Sequence, residues 1–424
     1  MMKSIRSFFL IPLVFVFLPF LAITQTIVRT QGKSILVNDT AYIIRGICYN
    51  PVAIGKGRFD PMDYTHIDQD ILLMTQAKIN TIRMYQPITN VTVLDKLAAA
   101  GIKVIVGFTN YDDTGLYPDI NHGTYLGYIN TYKTHPAILM WELGNEYNYH
   151  PEWFSNNINN WYTILNTTAG AIHAADPNHP VSTAHGEVPS SVVVSACPNV
   201  DVWGMNVYRY DDPSAAITQF NFLSSKPCYF SESGADRYNN TQGAENQQNQ
   251  ADGDLAIWNH ISPHFDLCSG IAFFSFVDEW WKKGNNGLHD VTGTVGSIPY
   301  DHFANEEWWG IVDIYRNTTL AYDVIKNVYT QYAIGIQEIA PGNSALILPN
   351  PAEDKIIVRL SNTVYETIQL KIFGIAGNLL FSEEYEIHGN EIVIPLDRDR
   401  FTAGSYLLNA TGKTVNINKI LILK

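Results

Sequence analysis

The feature that most constrains this chain is a repeated alternation of short apolar runs with longer stretches of helical periodicity. The apolar runs are RGICYN (45–50), INTIRMY (79–85), IKVIVGF (102–108), AILMWELGNE (137–146), PVSTAH (180–185), VDVWGMNVY (200–208), PCYFSES (227–233) and GIAFFSFVDEW (270–280). Between them lie segments such as YTHIDQDILLMTQA, VTVLDKLAAAG and NNWYTILNTTAGAIHAA, whose apolar residues recur every three or four positions. Strands buried on both faces read as near-continuous apolar runs, and parallel neighbours need a helical crossover. Eight such units over about 300 residues predict a closed (β/α)8 TIM barrel, an α/β fold, better than an open doubly wound sheet. No GxGxxG follows the first strand, which removes the main support for a dinucleotide fold.

The ends of the chain have a different texture. Lys3 and Arg6 precede an apolar run from Phe8 to Ile23 broken by Pro12 and Pro19, so residues 1–25 read as an export signal cleaved near Gln25. The run TIVRTQGKSILVNDTAYIIR (26–45) alternates around an Asn-Asp turn and reads as a hairpin leading into the barrel, which is assigned to residues 26–335. A proline-marked linker at 336–344 follows. Residues 345–424 then form a succession of short strands with no helix between them, which predicts a small C-terminal β-sandwich.

Composition limits the partners. The net charge of −14 argues against nucleic acid, because phosphate binding needs a basic face. No cluster has metal-ligand spacing, and no P-loop or Ser-His-Asp arrangement is legible, so no cofactor and no metal are expected. Cys48, Cys197, Cys228 and Cys268 of an exported chain are open to two disulfides or to four buried thiols. The chain is expected to be a monomer.

In a TIM barrel the reacting groups sit at the C-terminal ends of the strands. Two such ends carry a carboxylate: Glu146 in WELGNEYN on strand four and Glu232 in YFSESGAD on strand seven. Two opposed carboxylates are what glycoside hydrolysis requires, one as proton donor and one as nucleophile or base. Asp278 and Glu279 in VDEWWKK also stand at a strand end and could replace either. Asp112, Asp113, Glu306 and Glu307 read as loop charges or secondary sugar contacts, and His185 as structural. Trp280, Trp281, Trp203, Tyr111, Tyr147, Trp308 and Trp309 are candidate stacking platforms, of which two or three would touch sugar.

The Asn-Glu at the end of strand four and the Glu at the end of strand seven resemble the pattern of glycoside hydrolase clan A, whose members are retaining enzymes. Arg83 in INTIRMY, Tyr208 in GMNVY and the Trp280–Trp281 pair extend the match. Within the clan, INTIRMY, GMNVY and PCYFSESGAD resemble family 2 catalytic domains and the β-1,3-glucanosyltransferases of family 72. Family 2 enzymes carry preceding β-sandwich domains that this sequence lacks. The resemblance implies that Glu146 is the general acid/base and Glu232 the nucleophile, about 5–5.5 Å apart as in retaining enzymes. It also implies that Asn145 holds the substrate's 2-hydroxyl, and that Arg83 and Tyr208 hydrogen-bond Glu232 and keep it ionised and aimed. The substrate would be a polysaccharide or oligosaccharide, β-glucan with β-1,3 linkage first. A transglycosylase using the same residues, or a silent glycan-binding barrel, are the competing readings.

The tail has its own resemblance. LPNPAEDKIIVRL, IFGIAGNLLF and AGSYLLNATGKTVNINKILILK are similar to the C-terminal sorting domain of the type IX secretion system of Bacteroidetes. That implies export across both membranes, the secretion machinery as a partner, and a secreted or cell-surface location.

Overall fold

A computed structural model describes residues 26–109, 115–291, 293–333, 345–348, 352–374, 378–397, 400–412 and 415–423. The expected signal peptide (1–25), the linker (336–344) and Tyr111, Asp112 and Asp113 lie outside the described residues.

Eight parallel strands close into a barrel: Ile44–Cys48, Thr81–Met84, Lys103–Phe108, Ile138–Asn145, Val181–Gly186, Val202–Asn206, Cys228–Ser233 and Gly270–Phe273. Ile44 pairs with Gly270 and so joins the first strand to the eighth. One helix follows each strand, the first at Ile67–Gln76 and the last at Leu320–Ala333. The helix Ile158–Ala175 shows why these segments fold as they do. Its cap, Asn157, accepts the backbone N–H of Asn159 at 3.1 Å, satisfying a donor that the first turn leaves free. Trp161, Leu165, Ala169 and Ile172 then fall on one stripe and bury it against the strands.

The N-terminal segment makes two hairpins rather than one, with strands Val28–Gln31, Ser34–Val37 and Thr40–Tyr42. Asn38 and Asp39 turn the second with φ of 48° and 64°, the left-handed pair that a two-residue hairpin needs. Val28 and Ile35 form one buried cluster with Ile44, Ile105, Leu139 and Val202 of the barrel. Ile44 and Val202 open their strands, so the small sheet packs at the N-terminal mouth, opposite the end where the reacting groups are expected.

The tail is one antiparallel five-stranded sheet. Its strands are Ala345–Leu348, Lys355–Gly374, Leu379–Pro395, Gly404–Thr411 and Asn416–Leu423. Four of the expected short strands merge into two long ones, which pair along their length with register breaks after Arg359 and Ile372. Ile356, Val358 and Leu360 from one part of the longest strand and Ile368, Leu370 and Ile372 from the other share a single buried cluster, giving the sandwich its core.

Candidate active site

The site is built around Arg83, which is fully buried at the end of strand two. An arginine among apolar strand residues needs carboxylate partners, since desolvating an unpaired charge costs several kcal/mol. Its Nε donates to Glu142 Oε1 at 2.6 Å, Nη1 to Glu232 Oε1 at 2.8 Å, and Nη2 to Asn145 Oδ1 at 2.7 Å. Burial works against the charge on Arg83, but the Glu142 carboxylate and its neighbours hold it well above its ordinary value. Glu142 also accepts hydrogen bonds from Ser182 Oγ at 3.3 Å and from the Tyr229 hydroxyl.

Glu232 sits one residue before the end of strand seven and receives two further donors. Tyr85 OH reaches Oε1 at 2.7 Å and Tyr208 OH reaches Oε2 at 3.1 Å. With Arg83, three donors from strands two and six and their following residues fix the direction of this carboxylate. Asn145 is held from the other side by Asn206 Nδ2 at 3.1 Å, and Asn206 in turn accepts from Ser231 Oγ at 2.6 Å.

Glu146 leaves strand four in a left-handed conformation, φ 56°, which a side chain bearing a Cβ adopts only at a cost of about 1–3 kcal/mol. Its N–H donates to Ala184 O at 2.9 Å, and its carbonyl accepts from Tyr149 N–H at 2.9 Å, so both neighbouring segments hold the turn. Gly144 makes the approach possible: it has φ 71°, and a Cβ there would stand 2.7 Å from the Trp161 ring. Burial, and then the charge of Glu232, push the Glu146 carboxyl up to about 7, which keeps a proton on it near neutrality.

Asn145, Glu146, Tyr208, Glu232 and Trp281 line one cleft of about 520 Å³, with Arg83 directly behind. Two expected sugar contacts are elsewhere. Tyr147 is buried between Trp161, Trp153 and Phe154 at 4.7–5.8 Å and anchors the turn that carries Glu146. Trp280 stacks on His289 and lines a separate pocket of about 210 Å³. The reason is alternation past strand eight: Asp278 and Trp280 face that pocket, whereas Glu279 and Trp281 face the cleft. Asp278 is clasped there by Arg237, with Nη1 to Oδ1 at 2.6 Å, and accepts Gly310 N–H at 3.0 Å. It is therefore not a substitute for either cleft glutamate. His185 is engaged by Tyr162 and by the Glu187 carbonyl, and Trp203 is core. Trp309 and Glu306 line the cleft, while Trp308 and Glu307 do not.

Sequence reasoning missed Glu142, Tyr85 and Asn206. A charged residue inside each of two apolar strands, Arg83 and Glu142, was the available signal that the two meet. Tyr85 and Asn206 carried none beyond their position at strand ends. All four cysteines are buried free thiols.

Comparison with known proteins bears on the two regions separately. Residues 346–424 match the secretion system C-terminal sorting domain. That match indicates type IX secretion, with export to the cell surface or the extracellular space. No curated protein sequence matches the chain. Among solved structures, a family 2 β-galacturonidase from Eisenbergiella tayi bound to galacturonate is 20% identical, with a TM-score of 0.51 over 72% of this chain and 54% of its own. A β-glucuronidase from Dictyoglomus thermophilum is 16% identical, with a TM-score of 0.51 over 72% and 54%. Bacteroides uniformis β-glucuronidase 2, covalently bound to cyclophellitol-6-carboxylate aziridine, is 14% identical, with a TM-score of 0.54 over 94% and 48%. The chain thus spans about half the length of these structures, and the likeness is one of fold.

Proposed function

We propose that the barrel is a retaining glycoside hydrolase acting outside the cell on a β-linked polysaccharide, with Glu232 as nucleophile and Glu146 as general acid/base. The observation that carries this reading is the unequal treatment of two carboxyl groups in one cleft. Glu232 is clamped by three donors, as an attacking oxygen must be, while Glu146 is buried and raised to about 7, as a proton donor must be. In the first step Glu232 forms a bond to the anomeric carbon as Glu146 protonates the departing oxygen. Water, deprotonated by Glu146, then breaks the glycosyl–enzyme bond, and the two inversions restore the starting configuration. Asn145, held between Arg83 and Asn206, is the group to meet the 2-hydroxyl. Trp153, Trp281 and Trp309 give the cleft the aromatic faces on which sugar rings stack.

The similarity of the barrel to glycosidases of family 2 supports the reaction class. The family 72 resemblance of INTIRMY and GMNVY favours a β-glucan with 1,3 linkage as substrate. The test is a screen of the purified protein on glucans, mannans and galactans with products sized by mass spectrometry. Shorter products from a β-1,3-glucan are expected, and products longer than the added oligosaccharide would mean transglycosylation instead. Azide assigns the roles. Glu146→Ala on an activated aryl glycoside should be rescued with a β-glycosyl azide as product, and Glu232→Ala with the α-azide. Exchanged outcomes would exchange the two roles, and wild-type rates in both variants would remove the mechanism.

A further inference from the structure

The cleft contains a third glutamate that the mechanism does not use. Glu279 is 3% exposed and lines the cleft, yet neither of its carboxylate oxygens has a hydrogen-bond partner within the protein. Lys282 Nζ approaches Oε2 at 3.4 Å, an ion-pair contact whose geometry falls short of a full hydrogen bond. A buried carboxyl group whose one cationic contact is a lysine shared with a second glutamate is short of donors, and burying it so costs free energy that a structural role alone explains poorly. Sugar hydroxyls are the donors such a pair of oxygens would accept.

The cations around it are already committed. Lys282 is shared between Glu279 and Glu306, whose Oε2 lies 3.7 Å away, and its ammonium also sits 4.1 Å from the centre of the Phe274 ring. Arg83 is spent on Glu142, Glu232 and Asn145 behind the cleft wall. Of the other basic side chains on the described lining, His150 is paired with Glu152, and Arg58 is exposed on the loop after strand one. The cleft wall thus presents four carboxyl groups, Glu146, Glu232, Glu279 and Glu306, against Lys282 and a peripheral arginine.

We infer that Glu279 is a specificity-determining residue which accepts hydroxyl hydrogens of a neutral sugar at or beside the cleaved bond and repels the carboxylate of a uronic acid. The inference rests on the glycosidase reading above and sets this cleft apart from the uronidases whose barrels it resembles. A neutral sugar supplies the donors that Glu279 lacks. Burial pushes the Glu279 carboxyl up to about 7 against the pull of Lys282, so above that pH a uronate would bring a further negative charge beside ionised Glu279 and Glu306, and Lys282 would have to leave one of them to meet it.

The test uses the exported chain with p-nitrophenyl β-D-glucoside, galactoside, mannoside and xyloside set against the β-D-glucuronide and β-D-galacturonide. The wild type is expected to favour its best neutral glycoside over either uronide by about 100-fold or more in kcat/KM. Glu279→Gln should lose about tenfold or more on that neutral glycoside and narrow the neutral-to-uronide ratio at least about tenfold. Glu279→Asp keeps the charge but withdraws it by one methylene. It should lose on the neutral sugar while still rejecting uronides, and it decides the matter if the glutamine variant does not fold. Equal losses on neutral and charged substrates in these variants would mean a merely structural carboxylate and overturn the inference. A wild-type preference for a uronide would overturn it too, leaving the glycosidase reading intact. Absence of turnover on every glycoside and glycan would sink both.

Discussion

The barrel and the tail solve the problem of a stable interior in opposite ways. Every buried charged side chain among the described residues lies at or before Arg316, and the described residues that the tail buries are aliphatic or aromatic. The tail therefore follows the simple rule of period-two alternation, with Ile368, Leu370 and Ile372 inside and the charged Lys371, Glu384 and Glu386 on the other face of their strands. The barrel places Arg83, Glu142 and Glu232 in its interior, each tolerable only through its partners. The difference separates a part built for delivery, which needs only a fold, from a part that holds charge where water would weaken it.

The sharpest test of that contrast is Glu232→Ala, because it removes chemistry without removing the arginine's remaining partner, Glu142. Turnover should fall by about 10⁵- to 10⁶-fold, the scale on which loss of a covalent nucleophile acts, while the thermal midpoint stays near that of the wild type. A protein that instead unfolds would make Glu232 structural. Arg83→Met comes next. It strands the Glu142 and Glu232 carboxylates in the interior and should cost about 3–5 kcal/mol in urea unfolding followed by barrel tryptophan fluorescence. A near-neutral result would mean the barrel interior is as simple as the tail's.

Leu370→Ala probes the other region. It opens a cavity in a purely apolar core and should cost about 2–5 kcal/mol there, leaving activity on soluble oligosaccharide and the barrel's melting unchanged. A joint shift of both transitions would show the two regions to be one cooperative unit.

The pH dependence is smaller in effect but specific to the barrel. The Glu146 carboxyl is raised from an ordinary value of 4.5 to about 7 in the folded protein, so it gives up its proton as the pH rises through about 7. kcat/KM should then fall about tenfold per pH unit above that point, as the acid needed for the first step is lost. The sign for stability is the same. Glu146 contributes fully below its unfolded value of 4.5 and has lost that contribution once the pH passes about 7, so Glu146→Gln should flatten the decline of the melting temperature between about pH 4.5 and 7 and leave it unchanged above. A wild-type rate still climbing at pH 9 would deny Glu146 the role of acid. The smallest expected effect is that of deleting the chain from residue 345 onward. Activity on a soluble substrate should change by less than about twofold, the scatter of an unaffected rate, while surface delivery in the native host is abolished. Loss of activity in the truncated protein would tie the tail to turnover.

Much of this was legible in the sequence because it depends on local pattern. Apolar runs and three-to-four spacing are properties of segments, and they determined eight strands, their crossovers and the strand ends at which Glu146 and Glu232 stand. The Asn-Asp turn and the alternating tail are equally local. Other features belong to the closed barrel alone. The clan resemblance already implied that Arg83 and Tyr208 reach Glu232, but the contacts of Arg83 with Glu142 and of Tyr85 with Glu232 follow only from closing the sheet. The division of VDEWWK into Asp278 and Trp280 on one side and Glu279 and Trp281 on the other depends on which way an extended segment faces after the strand ends. Tyr147 became an anchor rather than a sugar contact because the Glu146 turn needs a buried ring behind it. A side chain's chemistry can be read from its letter, but its charge state and its partners are set by neighbours that are distant in sequence. Only the folded chain brings those neighbours together.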